Sequence, residues 1–430
     1  MQMTVAEPAA IYVDPSCGDD RADGTTPATA IASLERLESF VLGPGTRVLF
    51  RAGGIWYGSY HPVGGGLPQQ PVIITRYGAG PDPILCGTTE SSTVYIRNMS
   101  HLVLERLEIT HSCRKTDRPL RGVYLCYGGE GGEYRDICLR DLYIHDIGGR
   151  AQREAGGLVI WADTAERPVT FSRLTVAGCT ICDQAAQGIT FSSVYSYRTG
   201  IDWTDKPYAP SRDIRICDNY IARCGGDGIF QSCADDPVLE HNTVTGCCFA
   251  GNTAYAGIWP HNSQRPVMRG NESFGNRLVG GDGQGYDVDI NCTDSVVERN
   301  YSHHNEGGSI LLCTSGDIGG YNNGILVRDN LCEEDLGQIF TLSGPLRQVR
   351  LTGNRVTVRQ QPHTRLIGFY QWGQSGGGPE QVEIVGNDFT LDSDGHDQVC
   401  WDTHPIVRDN RFAGSYDYGD LLMTGQDRSQ

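Results

Sequence analysis

The stretch VMRGNESF at residues 267–274 decides the fold of this chain, because its pattern returns along much of the sequence. A short apolar run leads through a polar or glycine residue to an asparagine, and a second short run follows. VVERNYS at 296–302 and ILVRDNLC at 325–332 repeat the pattern. Eight asparagines, spaced by 23, 29, 29, 30, 24, 33 and 23 residues, mark the copies: Asn219, Asn242, Asn271, Asn300, Asn330, Asn354, Asn387 and Asn410. A period of this length predicts a repeat architecture.

A second strand pattern lies between the asparagines and is opened by glycine, as in GDGIFQ (226–231), QGYDVDI (284–290) and GGSILL (307–312). Each period therefore holds two or three short strands, and no ten-residue helix fits between them. We predict an all-β chain that forms one single-domain parallel β-helix of about 10–12 coils. The asparagines are predicted to stack as a ladder that bonds to backbone.

The ends of a solenoid need caps, because the first and last coils otherwise expose unpaired strands. In PATAIASLERLESFV, residues 27–41, four apolar residues lie near helical spacing: Ile31, Leu34, Leu37 and Val41. This predicts an amphipathic helix that caps the solenoid. The predicted organisation is an N-terminal cap over 1–45, the β-helix over 46–412 and a polar, irregular tail over 413–430.

The charge of the chain limits its partners. With 35 basic and 52 acidic residues the net charge is −17, which disfavours nucleic acid. No run of 18 apolar residues predicts a membrane span. Residues 1–10 lack the basic and apolar regions of a signal peptide, so we expect a cytoplasmic protein, or a secreted one if a leader is missing. The 16 scattered cysteines are interpreted mainly as small buried residues.

The N-terminal stretch IYVDPSCGDDRADGTTPATAIASLERL (11–37), followed by GPGTRVLFRAGGIWYGS (43–59), resembles the opening of bacterial proteins of the pectin-lyase-like superfamily. The resemblance covers nearly the whole chain and implies a right-handed parallel β-helix. It is weak for activity, because the superfamily includes hydrolases, lyases, epimerases, esterases and non-enzymes. It implies a carbohydrate substrate, either an oligosaccharide or a polysaccharide.

Two carboxylates stand out in GQGYDVDINC, residues 283–292. Alternation places Tyr286, Val288 and Ile290 in the core, so Asp287 and Asp289 point outward together. Their Cα atoms are about 7 Å apart. This arrangement suits acid–base work on a glycosidic bond. The alternatives are a site for a cation such as Ca²⁺ and a solvated acidic face.

The preceding coils place further side chains beside this pair. If Ile258 aligns with Tyr286, then Trp259 lies beside Asp287 and His261 beside Asp289. One coil further back, Phe230 shares the same outward face. We predict that Trp259, His261 and Phe230 bind substrate, although Trp259 could instead cover an insertion loop.

Residues in the neighbouring turns complete the predicted site. Glu306 lies in the turn just before the next strand pattern and is predicted to reach over the aspartate pair as a third catalytic carboxylate, with turn capping as its alternative. His303 and His304, just before it, and Asp227, in GGDGIF, are predicted substrate-binding residues. Asp227 and Asp282 are interpreted first as turn residues.

The reaction class follows from the scarcity of bases near this patch. Elimination of a uronate needs a base and a group that neutralises the carboxylate. The chain has two lysines, Lys115 and Lys206, and between residues 270 and 298 the one arginine is Arg277. We predict a glycoside hydrolase in which Asp287, Asp289 and Glu306 are catalytic. No cofactor is expected to be required, although Ca²⁺ remains possible. The alternatives are a polysaccharide lyase or uronate epimerase, and a non-catalytic carbohydrate-binding β-helix.

Overall fold

The structure is a computed structural model and describes residues 10–196, 198, 204–318, 320, 322–374, 376–399, 403–419 and 421. They fall into two compact units. The first comprises Met1–Ser193 and Ser211–Cys224, and the second comprises Val194–Pro210 and Gly225–Gln430. Each unit is built from three parallel sheets, called here the first, second and third sheet in the order in which a coil visits them.

The first unit begins with strand Ala10–Val13, which pairs with Arg47–Arg51 in the first sheet. Its first-sheet strands are Ala10–Val13, Arg47–Arg51, Val72–Tyr77, Leu102–Glu105, Gly132–Arg140, Val169–Ala177 and Ser211–Cys217. Its second-sheet strands are Ile55–Tyr57, Ile84–Gly87, Glu108–His111, Tyr143–His145, Thr180–Gln184 and Tyr220–Cys224. Its third-sheet strands are Ser92–Ile96, Arg121–Gly129, Gly156–Ala165 and Gln187–Ser193, and the pair Val41–Leu42 and Val63–Gly64 stands apart.

The second unit repeats this plan, and Ala234–Asp235 is a further short strand. Its first-sheet strands are Val238–Glu240, Val267–Arg269, Val296–Glu298, Asn322–Arg328, Leu346–Thr352, Glu380–Val385 and Ile406–Arg408. Its second-sheet strands are Thr243–Thr245, Glu272–Phe274, Tyr301–His303, Leu331–Glu333, Arg355–Val358, Asp388–Leu391 and Arg411–Ala413. Its third-sheet strands are Ile229–Ser232, Ile258–His261, Gln284–Val288, Gly308–Cys313, Gln338–Ser343, Arg365–Tyr370 and Gln398–Val399.

The all-β parallel β-helix is therefore confirmed. The described second-sheet strands number six in the first unit and seven in the second, slightly more than the 10–12 coils predicted. The earliest coils lack the marker asparagine and so escape a count based on it. Twelve of the 15 described cysteines are buried, which confirms their interpretation as core residues.

The repeated asparagine forms the predicted ladder. Asn300 Nδ2 donates to Asn330 Oδ1 at 3.0 Å and to the carbonyl oxygen of Met268 at 3.0 Å. Asn300 Oδ1 accepts from the backbone N–H and from Nδ2 of Asn271, both at 3.0 Å. The bend between the first and second sheets precedes each rung, at a residue with a left-handed φ of 53° to 69° in the second unit: His241, Gly270, Arg299, Asp329, Gly353, Gly386 and Asp409. Glycine and short polar residues tolerate this conformation best, which explains the three glycines and two aspartates at this place; His241 and Arg299 adopt it as well.

The capping segment is helical over a much shorter length than residues 27–41. It contains the 3-10 turn Pro27–Thr29 and the α-helix Leu34–Leu37, with Leu34 and Leu37 buried. Asp20 Oδ1 accepts from the backbone N–H of Ala32 at 2.8 Å and of Ser33 at 2.9 Å, so these groups do not start a helical turn. The prediction of a continuous amphipathic helix was wrong for this reason.

The tail is partly ordered by aromatic packing. Tyr416 and Tyr418 are buried, and the Tyr416 hydroxyl lies 2.6 Å from Asp397 Oδ1. Residues 1–9 of the predicted cap and 422–430 of the predicted tail lie outside the described residues.

A further 3-10 turn spans Gly316–Ile318. Within the described part of the chain, no helix has both the length and the apolar character that a membrane crossing requires.

Candidate active site

The candidate site lies on the third sheet of the second unit, where the predicted register is observed. Ile258 pairs with Tyr286, and a single bridge joins His261 to Asp289. In the preceding coil Phe230 pairs with Trp259. The hydroxyl of Tyr286 lies 2.8 Å from the carbonyl oxygen of Asn271, inside the coil. The alternation predicted for this strand is therefore correct.

The two aspartates converge on a cysteine from the next coil. Cys313 Sγ lies 3.6 Å from Asp287 Oδ1 and 3.2 Å from Asp289 Oδ1. Asp289 Oδ1 also accepts from the backbone N–H of Ile290 at 2.7 Å. Asp287 is 2% exposed and Asp289 is partly exposed, so this is not the solvated acidic face that we considered. We call Asp287, Asp289 and Cys313 the carboxylate–thiol cluster.

Burial and like charge control protonation in this cluster. Burial, followed by the charges of Asp289 and Asp282, raises the pKa of the Asp287 carboxyl well above its usual value. Burial and the charges of Asp287 and Asp289 likewise raise the pKa of the Cys313 thiol. Asp287 therefore favours the neutral acid, and Cys313 keeps the proton that it can donate to a carboxylate.

Asp282 is a member of this site that sequence reasoning set aside as a turn residue. It lies between Gly281, with φ +144°, and Gly283, with φ +70°. Its side chain is partly exposed and lines a pocket of about 640 Å³, and its charge acts on both Asp287 and Cys313. The charges of two partly exposed carboxylates, Asp282 and Asp289, thus both act on the buried Asp287.

The aromatic residues lie beside the cluster but are not exposed as predicted. Phe230 and Trp259 contact each other with ring centroids 4.4 Å apart and form a buried group with Ala256. Phe230, Trp259 and His261 are each at most 6% exposed. His261 Nδ1 lies 2.8 Å from Ser232 Oγ, which fixes the ring. The predicted open sugar platform is therefore wrong, and these residues form the packed wall of the site.

Asp227 is also unsuited to its predicted contact with substrate. It is fully buried, and its Oδ1 accepts from the backbone N–H of Ala256 at 2.9 Å. This is the turn role that we considered first. Its charge contributes to the raised pKa of Asp287 from within the protein.

Glu306 is not brought to the aspartate pair by its contacts. Its carboxylate pairs with Arg277 Nε at 2.7 Å and accepts from the backbone N–H of Leu278 at 2.9 Å. These bonds stabilise the loop before strand Gln284–Val288. Turn stabilisation, the alternative that we considered, describes its contacts better than catalysis.

His303 and His304 belong to a different sheet. His303 ends a second-sheet strand and stacks on Phe274 with centroids 4.5 Å apart. Its Nε2 lies 3.3 Å from Glu272 Oε1, and its Nδ1 lies 3.0 Å from Nδ1 of His304. The sharp bend of each coil separates this sheet from the aspartates, so the predicted substrate contact finds no support.

The cluster has a poor ligand set for Ca²⁺. Ca²⁺ takes six to eight oxygen ligands, whereas the group that the described residues form has two carboxylates and one thiol. These three groups alone supply too few oxygen ligands for Ca²⁺, and the binding of this ion stays a prediction.

The buried carboxyl should make stability depend on pH. Below about pH 4, Asp287 is protonated in the folded and unfolded states alike. As the pH rises, only the unfolded state releases this proton, so the free energy of unfolding falls. We expect Asp287→Asn to remove this fall. As the pH rises, the midpoint of thermal unfolding of the variant should therefore increase relative to that of the wild type. A difference that stays constant between about pH 4 and about pH 8 would contradict the buried-acid assignment.

A family model described as "Right handed beta helix region" matches residues 171–389, half of the chain. This chain belongs to the right-handed β-helix family. The handedness that the resemblance implied is thereby confirmed.

Two known proteins match a larger part of this right-handed β-helix chain than the family model does. Lacto-N-biosidase of Bifidobacterium longum is 24% identical over 439 residues, which cover 80% of this chain and 27% of that protein. The chain thus spans about a quarter of its curated relative. The crystal structure of GH136 lacto-N-biosidase from Eubacterium ramulus is 22% identical, covers 95% of this chain and 68% of that one, and superposes with a TM-score of 0.75. This likeness establishes the shared fold.

Proposed function

We propose that this chain is a glycoside hydrolase that cleaves a glycosidic bond of an oligosaccharide at the carboxylate–thiol cluster. The observation that carries the proposal is the arrangement of Asp282 and Asp289, both partly exposed, around the buried Asp287. Glycosidases commonly use two carboxyl groups, one as acid and one as base or nucleophile. The names of both relatives support a lacto-N-bioside as the substrate.

The exposure of the three aspartate side chains decides which of them can act on the sugar. A catalytic group must reach the sugar, and Asp289 and Asp282 have partly exposed side chains, whereas Asp287 does not. We assign the two catalytic carboxyl groups to Asp289 and Asp282. Asp287 is a positioning residue that, together with Cys313, sets the environment of Asp289.

The surroundings suit a transition state with positive charge. Nearby carboxylates stabilise the positive charge of the oxocarbenium-like sugar ring. The packed wall of Phe230 and Trp259 lowers the local dielectric constant and thereby strengthens this attraction. His261, held by Ser232 and opposite Asp289 in register, supports the position of that carboxylate. No step in this scheme requires a metal ion.

A uronate lyase is the second candidate, because of one arginine that sequence spacing did not reveal. Arg198 Nη1 donates to the carbonyl oxygen of Asn291 at 3.0 Å, two residues beyond Asp289. Its guanidinium also lies 4.9 Å from the ring centroid of Tyr208. An arginine near the cluster could serve elimination, but these contacts already hold it.

Product masses separate the two reactions. We expect the chain to release p-nitrophenol from p-nitrophenyl lacto-N-bioside and, from an oligosaccharide panel, fragments whose masses sum to substrate plus one water. Fragments from polygalacturonate or alginate that sum to the substrate without water would indicate elimination. That result would overturn the proposal and turn attention to Arg198. Binding without any turnover would also overturn it and favour a carbohydrate-binding protein.

A further inference from the structure

The pocket beside Asp282 extends along four coils of the second unit. It has a volume of about 640 Å³, and its wall includes Asp282, Gln284, Gln338, Arg365 and Tyr370. In the third sheet Gln284 pairs with Gly308, Gly308 with Gln338, and Gln338 with Arg365. Successive coils are about 4.8 Å apart, so the two glutamines lie about 10 Å apart. This is room for a sugar residue beside the one that is cleaved.

Gly308 keeps the middle of this row open. Its φ is +114°, and a Cβ at this position would lie 1.8 Å from the carbonyl oxygen of Gln338. No side chain therefore projects between the two glutamines at this point of the row. The row alternates an amide, a gap, a second amide and an arginine.

The two glutamines differ in their hydrogen bonds. Gln338 Nε2 donates to the carbonyl oxygen of Phe340 and to Thr341 Oγ1, and its Oε1 accepts from Tyr370 at 2.7 Å. Gln284 is 7% exposed, and its Oε1 has no hydrogen-bond partner among the described residues. An unpaired buried carbonyl oxygen lowers the stability of the fold. Gln338 stabilises the fold, whereas the Gln284 amide has no such structural bond at Oε1.

We propose that this pocket is a second sugar subsite and that the Gln284 carboxamide hydrogen-bonds a hydroxyl or amide group of the sugar bound there. The presence of a sugar rests on the proposed function. Rotation about the terminal torsion of Gln284 is soft, so the amide can turn its oxygen or its nitrogen to the pocket. The wall offers amide and hydroxyl groups for the hydroxyls of a sugar, together with one carboxylate, Asp282, and one guanidinium, Arg365.

Gln284→Met tests the proposal, because it keeps the volume and removes the amide. We expect the dissociation constant for lacto-N-biose, measured by calorimetry, and the KM for p-nitrophenyl lacto-N-bioside to rise about tenfold, with kcat changed less than about threefold. The midpoint of thermal unfolding without sugar should stay the same or rise. Gln338→Met is the matched control, and its midpoint should fall because it loses bonds to Phe340, Thr341 and Tyr370.

The outcomes separate this inference from the proposed function. If the wild type hydrolyses the glycoside and Gln284→Met has the same KM and affinity, the subsite is overturned and the hydrolase stands. If Gln284→Met loses affinity only together with a fall in its unfolding midpoint, the glutamine is structural and the proposal is also overturned. If the wild type neither hydrolyses the glycoside nor binds lacto-N-biose, the proposed function fails and the subsite fails with it.

Discussion

Asp289→Asn is expected to lower kcat on the cleaved glycoside by about 10²–10⁴-fold, the contribution of a positioned acid or base. Asp289 is partly exposed and held by the N–H of Ile290 and by Cys313, so it can reach a sugar in a defined position. Asparagine preserves the shape but neither transfers a proton nor attacks a sugar. The measurement is steady-state kinetics, with circular dichroism to show that the fold is kept.

Two variants make this result specific. Asp205→Asn changes an aspartate whose side chain is 91% exposed, and its kcat should equal that of the wild type. Asp287→Asn replaces a buried acid that favours its neutral form with a neutral amide, so its loss should be much smaller than that of Asp289→Asn. If Asp289→Asn retained half of the activity, or if Asp287→Asn lost more, the assignment of roles would be wrong.

Asn300→Ala is expected to cost roughly 3–5 kcal/mol of folding free energy. Asn300 lies within the ladder and is 1% exposed. Its loss would leave the backbone N–H of Asn271 and the carbonyl oxygen of Met268 buried without these bonds. Circular dichroism should show a midpoint of thermal unfolding several degrees lower.

Asn410→Ala is the matched control for the ladder. Asn410 is the last described rung, is partly exposed, and accepts from Asn387. Its loss should cost clearly less than that of Asn300, because a terminal rung supports a neighbour on one side. Equal losses for the two variants would mean that the ladder does not act through stacked, buried bonds.

The fold was readable because each coil repeats a local constraint. The marker asparagine needs a neighbour at the same place in the next coil, and the left-handed residue before it is often glycine or aspartate, as at Asp329. Both constraints leave a trace in sequence. The helix predicted over 27–41 was too long, because helical spacing does not show that Asp20 binds the N–H groups of Ala32 and Ser33.

The sequence predicted the site residues correctly only where they lie on one strand or on the strand aligned with it. Alternation placed Asp287 and Asp289 on one face, and a short register extension placed Trp259 and His261 beside them. Cys313 was missed because coil lengths vary from 23 to 33 residues, although aligning GGSILL with QGYDVDI would have placed it beside Asp289.

The sequence did not predict which side chains are buried or which turn residues belong to the site. Periodicity indicates which way a side chain points and not what covers it, so Trp259 and Asp227 were expected to be accessible and are buried. Asp282 lies in a glycine-rich turn that resembles every other turn of the chain. Its charge near Asp287 becomes visible only in three dimensions.

The most direct test of the central claim is cleavage of a lacto-N-bioside oligosaccharide in ¹⁸O-labelled water, followed by product masses for the wild type and Asp289→Asn. The account predicts that the wild type adds one ¹⁸O to the released disaccharide and leaves no unsaturated product, and that Asp289→Asn forms this product at a rate lower by 10²-fold or more. Unlabelled fragments that sum to the substrate, or equal labelling rates for the two proteins, would contradict it.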